Sequence, residues 1–238
     1  DRDARGEGAE QDEVADHVMA MALSFNRKIV KHSSMVKSSG WGSVSLTDTM
    51  HRLRDKTIGI AGMGRIGRAV ADRARVFGMT ILAHDPFIEQ SEAPDGVQIT
   101  SIDSMLKESD FVTLHAPLIP ETTGMIGAEE LRLMKNDAFL INAARGPLID
   151  ESALVKALGN DEIGGAGLDV LEDTAPPDDH PLYAFDNVII TPHTAFFSQA
   201  STIELEERTA REVVRVLSGE MPEIVINPEV LGKTRAGI

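Results

Sequence analysis

Six short apolar runs constrain this chain more than any other feature: TIGIAG (57–62), MTILAH (79–84), DFVTLH (110–115), DAFLIN (137–142), GAGLDV (165–170) and NVIIT (187–191). Continuous apolar runs of this length suit strands buried on both faces of a parallel sheet. Helical stretches are predicted between the first five, at 65–77, 101–108, 127–134 and 151–158. The last has Asp150 placed as its N-cap and Gly159 just past its end. Strands alternating with helices require right-handed βαβ crossovers. The expected fold class is therefore α/β, an open doubly wound parallel sheet with helices on both faces. Val14, Val18, Met21, Ala22, Phe25 and Ile29 recur at three- and four-residue spacing and predict a leading amphipathic helix over 13–31. A polar connector (HSSMVKSSGWGSVS) follows it. A long helix over 199–218 and an extended tail close the chain.

Composition acts mainly by exclusion. A net charge of −15 opposes binding to nucleic acid phosphates or to an anionic membrane surface. The chain has no cysteine, hence no disulfide framework, thiol nucleophile or thiolate metal site. No run reaches the length of a membrane span, no signal peptide opens the sequence, and a cytoplasmic setting is expected. The polar opening, DRDARGEGAEQDE without an initiator Met, suggests a tail, a cut or further chain upstream.

Between the first strand and the first crossover helix, Gly62, Gly64 and Gly67 form GxGxxG. Gly62 permits the tight turn, Gly64 lets the backbone approach a pyrophosphate, and Gly67 lets helix and strand pack closely. The helix N-terminus then offers N–H groups and partial positive charge to the phosphates. Asp85 stands at the end of the next strand, followed by Pro86 and Phe87 rather than arginine. A carboxylate there accepts hydrogen bonds from ribose hydroxyls and repels the extra phosphate of NADP. The pattern indicates a Rossmann-type site for NAD.

Further along, Arg145 and His193 follow strands at the carboxyl end of the sheet, where such folds bind ligands. A guanidinium there can bind a carboxylate bidentately, or serve a surface ion pair. An imidazole there can exchange a proton with a hydroxyl or carbonyl oxygen, or be structural. His115 ends a strand and is expected near the cofactor crevice. His17 lies on the leading helix without comparable placement. Asp178, Asp179 and His180 are too few and too close in sequence to converge on a metal, so no metal site is expected. A solvated acidic loop is predicted there instead.

EVADHVMAMALSFNRKI, GIAGMGRIGRAVADRARVFGM, DPF, LHAPLIPETTGMIG, FLINAARGPLIDESAL, GAGLDV and NVIITPHTAF together resemble the D-isomer-specific 2-hydroxyacid dehydrogenases, in that family's order, from Glu13 to about Asn227. The C-terminal part also resembles the phosphoglycerate dehydrogenase and C-terminal-binding corepressor branch. The resemblance implies hydride transfer between NAD and a small 2-hydroxy or 2-oxo acid. Arg145 would bind the substrate carboxylate and carbonyl, and His193 would be the acid/base. Arg65 and Ile66 would lie on the pyrophosphate and Asp85 on the ribose. Ala116, Pro117 and Thr122 would flank the adenosine. Ala143, Ala144, Asp169 and Ala195 would border the nicotinamide. It further implies a homodimer built on the leading helix. The implied organisation is a polar segment (1–12), an NAD-binding domain (13–198), and a helix and tail (199–238) returning to a flavodoxin-like substrate lobe whose N-terminal part is missing here.

One departure bears on chemistry. The family's catalytic Glu, five residues after the Asp of the LDV motif, is Thr174 here, followed by Ala175. Thr brings no charge to stabilise imidazolium, so a reductase of this kind is expected to favour lower pH. Thr174 also leaves open an NAD(H)-responsive regulator without turnover, or an inactive fragment.

Overall fold

The computed structural model describes residues 11–41, 49–223, 225 and 229. Seven strands form one sheet: β1 (Thr57–Ala61), β2 (Thr80–His84), β3 (Val97–Ile99), β4 (Phe111–Leu114), β5 (Phe139–Asn142), β6 (Gly165–Leu168) and β7 (Val188–Ile190). All pairings are parallel, in the order β3-β2-β1-β4-β5-β6-β7. The chain reverses its direction of winding between β1 and β4, which opens a crevice at the carboxyl ends of those strands. The doubly wound parallel expectation holds. One strand, β3, went unpredicted: three residues, VQI, with one buried and one exposed member, are too short for a periodicity signal.

Alternation along each strand sends side chains to two cores. Ile58, Ile60, Ile81, Phe139 and Ile141 face one side, packed against α1 (Gln11–Asn26) and α3 (Arg65–Val76). Val112, Leu114, Leu140, Ala166 and Leu168 face the other, beneath α4 (Ile102–Glu108), α5 (Ala128–Leu133) and α6 (Glu151–Gly159). Asp150 caps α6 as predicted, accepting from Ala153 N at 2.9 Å. Gly159 is the last residue of that helix rather than the first beyond it. The long closing helix α7 runs Gln199–Leu217.

The leading helix differs from expectation. Rather than one helix over 13–31, α1 stops at Asn26 and α2 (Ile29–Ser39) begins after Lys28, a left-handed residue with φ 52°. Asn26, buried, turns the chain there by exchanging hydrogen bonds with His51 (Nδ2 to O, 2.9 Å; His51 N to Oδ1, 3.3 Å). Much of the predicted polar connector is therefore helical. The apolar register continues across the break, which hid it. In the C-terminal tail, most of the predicted extended return lies outside the described residues.

Candidate active site

At the β1 carboxyl end, Gly62 adopts φ 97°, and a Cβ there would strike the His115–Ala116 peptide at 2.7–2.8 Å. A Cβ on Gly67 would run into Gly62 O, so this glycine is needed for the helix to pack on the strand. Gly64 is different: a Cβ there meets nothing within 4 Å, and α3 begins after it with no side-chain cap. The protein itself does not require glycine at this position, whereas a pyrophosphate lying on the helix end would. Asp85 accepts from Met63 N (2.8 Å) and Phe87 N (3.0 Å), joining the glycine loop to the end of β2. These residues fit a dinucleotide.

A cavity of about 800 Å³ opens along the carboxyl ends of β1, β4, β5 and β6. Arg65, Ile66, Ala116, Pro117, Ala143, Ala144, Arg145, Asp169, His193 and Ala195 line it, so ten residues chosen from sequence converge on one cleft. Thr122 does not line it. Its hydroxyl donates to Pro117 O (2.6 Å) and accepts from Ile119 N (3.0 Å), folding the 117–122 loop. His115 also lines the cleft, and burial pushes its imidazole down to about 4, leaving it neutral at neutral pH.

Arg145 is exposed to the cleft, with Nη1 donating to Ala144 O at 2.7 Å. Its backbone is set by Asn142, fully buried at the end of β5, which donates to Arg145 O (2.9 Å) and accepts from Ala144 N (3.0 Å). A polar residue ending an otherwise apolar strand was the available signal for Asn142. His193 is exposed and has φ 55°, a left-handed conformation that is costly for a residue with a Cβ. Asp169, 2% exposed, holds that turn. Its carbonyl accepts from His193 N (2.8 Å), and its carboxylate accepts from Thr191 Oγ1 (2.6 Å), Thr194 N (2.9 Å) and Ala195 N (2.9 Å). The ring of His193 meets Phe196 edge-on at 5.5 Å.

Thr174 and His193 line a common smaller pocket of about 190 Å³ with Asp173 and Tyr183. Among the described residues no carboxylate pairs with His193. In the loop around His180, Asp178 and Asp179 are exposed as expected, while His180 itself is not. His180, its side chain only 10% exposed, bonds Glu151 Oε1 at 2.7 Å, and Glu151 Oε2 accepts from Glu172 N at 3.0 Å. The loop is therefore pinned to the start of α6 through His180 and the Glu172 backbone, while its acidic side chains stay solvated. No group of three potential metal ligands occurs among the described residues.

Residues 19–195 match the family model described as D-isomer specific 2-hydroxyacid dehydrogenase, NAD binding domain. A glyoxylate reductase of Thermofilum pendens is 40% identical over 94% of this chain and 67% of its own length. A D-3-phosphoglycerate dehydrogenase of Methanocaldococcus jannaschii is 39% identical over 93% of this chain and 43% of its own length. The chain thus spans about two thirds of the first relative and under half of the second. The crystal structure of D-lactate dehydrogenase with NAD+ from Lactobacillus jensenii superposes with a TM-score of 0.81 at 36% identity, covering 91% of this chain and 68% of that one.

Proposed function

Because the chain belongs to the D-isomer-specific 2-hydroxyacid dehydrogenase family, we propose that it interconverts a D-2-hydroxy acid and a 2-oxo acid with NAD, using Arg145 and His193. The observation that carries this reading is the convergence of both residues with the dinucleotide-binding elements on one 800 Å³ cleft. Arg145 binds the substrate carboxylate and polarises the carbonyl, a task suited to a planar, permanently charged fork. When bound, the cofactor supplies the hydride in reduction and accepts it in oxidation. His193 gives a proton to the carbonyl oxygen in reduction, or takes the hydroxyl proton in oxidation. Asp85 takes the adenosine ribose and the Gly64–Ile66 backbone the pyrophosphate; Ala143, Ala144 and Ala195 border the nicotinamide.

We assign the reaction to the cytoplasm and the chain to a homodimer. Ile29, Val30 and Val36 of α2 are exposed apolar residues suited to such a contact. Ile203, Val213, Val214 and Leu217 of α7 offer a similar face to a substrate lobe. Among the described residues no helix is long and apolar enough to cross a membrane. The experiment is NADH oxidation by the full-length protein with glyoxylate, pyruvate, hydroxypyruvate and 3-phosphohydroxypyruvate. Turnover of one of them, abolished by Arg145→Ala, is expected. The missing carboxylate partner of His193 favours one rival, an NAD(H)-responsive regulator. Tight NADH binding with no turnover of any acid would establish that rival instead.

A further inference from the structure

His17 on α1 shows no motif and sits 174 residues from its partner, yet its Nε2 lies 2.9 Å from Thr191 Oγ1. The hydroxyl of Thr191 has one proton, and that proton is directed at Asp169 Oδ1, 2.6 Å away. Both Asp169 oxygens receive donors, Thr191 Oγ1 and Thr194 N on one and Ala195 N on the other, so this carboxylate acts as acceptor throughout. Thr191 Oγ1 must therefore accept from His17, which fixes the imidazole with its proton on Nε2. The same nitrogen lies 3.8 Å from Asp169 Oδ1, so a donor there faces the Thr191–Asp169 pair as a whole.

A second bond from the same helix meets the other end of the segment. Ser198 Oγ donates to Glu13 Oε1 at 2.7 Å. The stretch from Thr191 to Ser198, which includes the left-handed His193, is thus tied to α1 at both ends. The helix has a firm seat from which to do this. Phe25 stacks on Phe139 at a 4.1 Å centroid distance, and a Cβ on Gly167 would meet Met21 Sδ at 2.9 Å. Arg73 of α3 binds both Asp12 and Asp16.

We propose that His17 is a positioning residue: its Nε2–H bond to Thr191 holds that hydroxyl on Asp169, and so sets the turn that presents His193. The role rests on the reading of His193 as acid/base, and it makes α1 part of the active site's support as well as of the core. Removing the donor frees Thr191 to rotate away from Asp169, which loosens the bonds to Thr194 N and Ala195 N that keep His193 left-handed.

The test compares His17→Leu with His17→Gln in the full-length protein. A glutamine amide places an N–H donor near the original Nε2, whereas leucine fills space without donating. His17→Leu is expected to lower kcat roughly tenfold while NADH affinity stays within about threefold, since one neutral hydrogen bond is lost outside the cofactor contacts. His17→Gln should recover most of the rate. Independently of turnover, amide exchange at Thr194 and Ala195 should accelerate in His17→Leu and return in His17→Gln. Equal rates and equal exchange in the two variants would overturn the proposal, because leucine would then serve as well as a donor. If the wild-type protein reduces no 2-oxo acid, the functional reading fails, and the exchange measurement alone decides whether His17 orders the turn.

Discussion

Two buried aspartates sit at opposite ends of the same sheet and are satisfied in opposite ways. At the amino end, Asp110 is held by Lys56 and Lys135 at 3.1 Å each and by Thr57 N at 2.8 Å. At the carboxyl end, Asp169 takes two backbone N–H groups and a hydroxyl, with a histidine behind the hydroxyl and, among the described residues, no lysine or arginine. Point charges such as ammonium groups stabilise a carboxylate without dictating angles, whereas N–H and O–H donors fix the direction of every bond. Asp110 therefore fastens strands, and Asp169 shapes a turn. The division of labour follows the fold, since ligands of doubly wound sheets bind at the carboxyl ends.

Replacing Asp169 with Asn should have the largest effect. One of its two oxygens becomes an NH2 facing backbone donors, so at least one of the three acceptor bonds is lost and the 191–195 turn must relax. Misplacing a reacting group by about 1 Å costs on the order of 100-fold, so kcat of the dehydrogenase should fall about that far while the protein still folds. Steady-state kinetics beside circular dichroism would check this, and a variant with unimpaired kcat would show that the turn does not depend on the carboxylate.

Asp110→Asn tests the other end, and the expected response is in stability rather than rate. Breaking a buried pair costs 3–5 kcal/mol. Here about 2 kcal/mol is expected because Lys135 is more than a third exposed and partly screened. Burial pushes the Asp110 carboxyl up, but the Thr57 N–H, Lys56 and Lys135 outweigh it and hold it below its ordinary 3.8. A depressed carboxylate adds stability that is complete above the unfolded-state value and lost as pH falls through the folded-state value. The wild type should therefore lose this contribution only below about pH 4, and Asp110→Asn should lack that acid-dependent loss. Urea melts across pH 3–7 measure both. kcat per folded molecule should be unchanged.

His115, at the carboxyl end, makes stability fall with acid as well, but through burial alone and over a higher window. Its folded-state value near 4 lies below the ordinary 6.5, so the unfolded chain binds a proton that the folded one refuses. Stability then falls with acid over the window from 6.5 down to about 4, above the range in which Asp110 acts. His115→Gln, which carries no titrating group, should flatten the same urea series between pH 4 and 6.5. A slope unchanged in that variant would mean that other groups set the acid response.

Much of this was legible in the sequence, for reasons that differ by residue. Five of the six runs that became strands are largely buried on both faces and therefore continuous in hydrophobicity, while β7, at the sheet edge, is half-buried along its length. The glycines of the phosphate loop are demanded by packing or by the ligand at fixed spacing. Arg145 and His193 stand just after strands, where topology alone points to the site. What was missed depends on pairings that sequence spacing does not carry. Nothing local to His17 names Thr191, and nothing local to His180 names Glu151. His17 did lie three residues from Val14 and four from Met21, on the edge of the apolar stripe, where a polar side chain reaches the core only by finding a partner. The break at Lys28 was hidden because the apolar period continues through it.

The smallest effect comes from restoring a charge where the carboxyl end lacks one. His193 and Thr174 share the wall of one small pocket, and no carboxylate pairs with that imidazole among the described residues. With His193 read as the acid/base, reduction requires the imidazolium, so its rate declines as pH rises past the point where the proton leaves. Placing a carboxylate beside the ring favours the charged form and moves that decline to higher pH. Thr174→Glu should therefore shift the alkaline limb of the reduction profile upward by about one pH unit, the scale of a single partly solvated ion pair. It should leave NADH affinity unchanged, because Thr174 is outside the cleft assigned to the cofactor. Thr174→Gln, equal in size but neutral, should leave the profile where it is. If both variants behave alike, charge is not what position 174 contributes. The contrast between a cation-held amino end and a donor-held carboxyl end would then extend to the catalytic pocket itself.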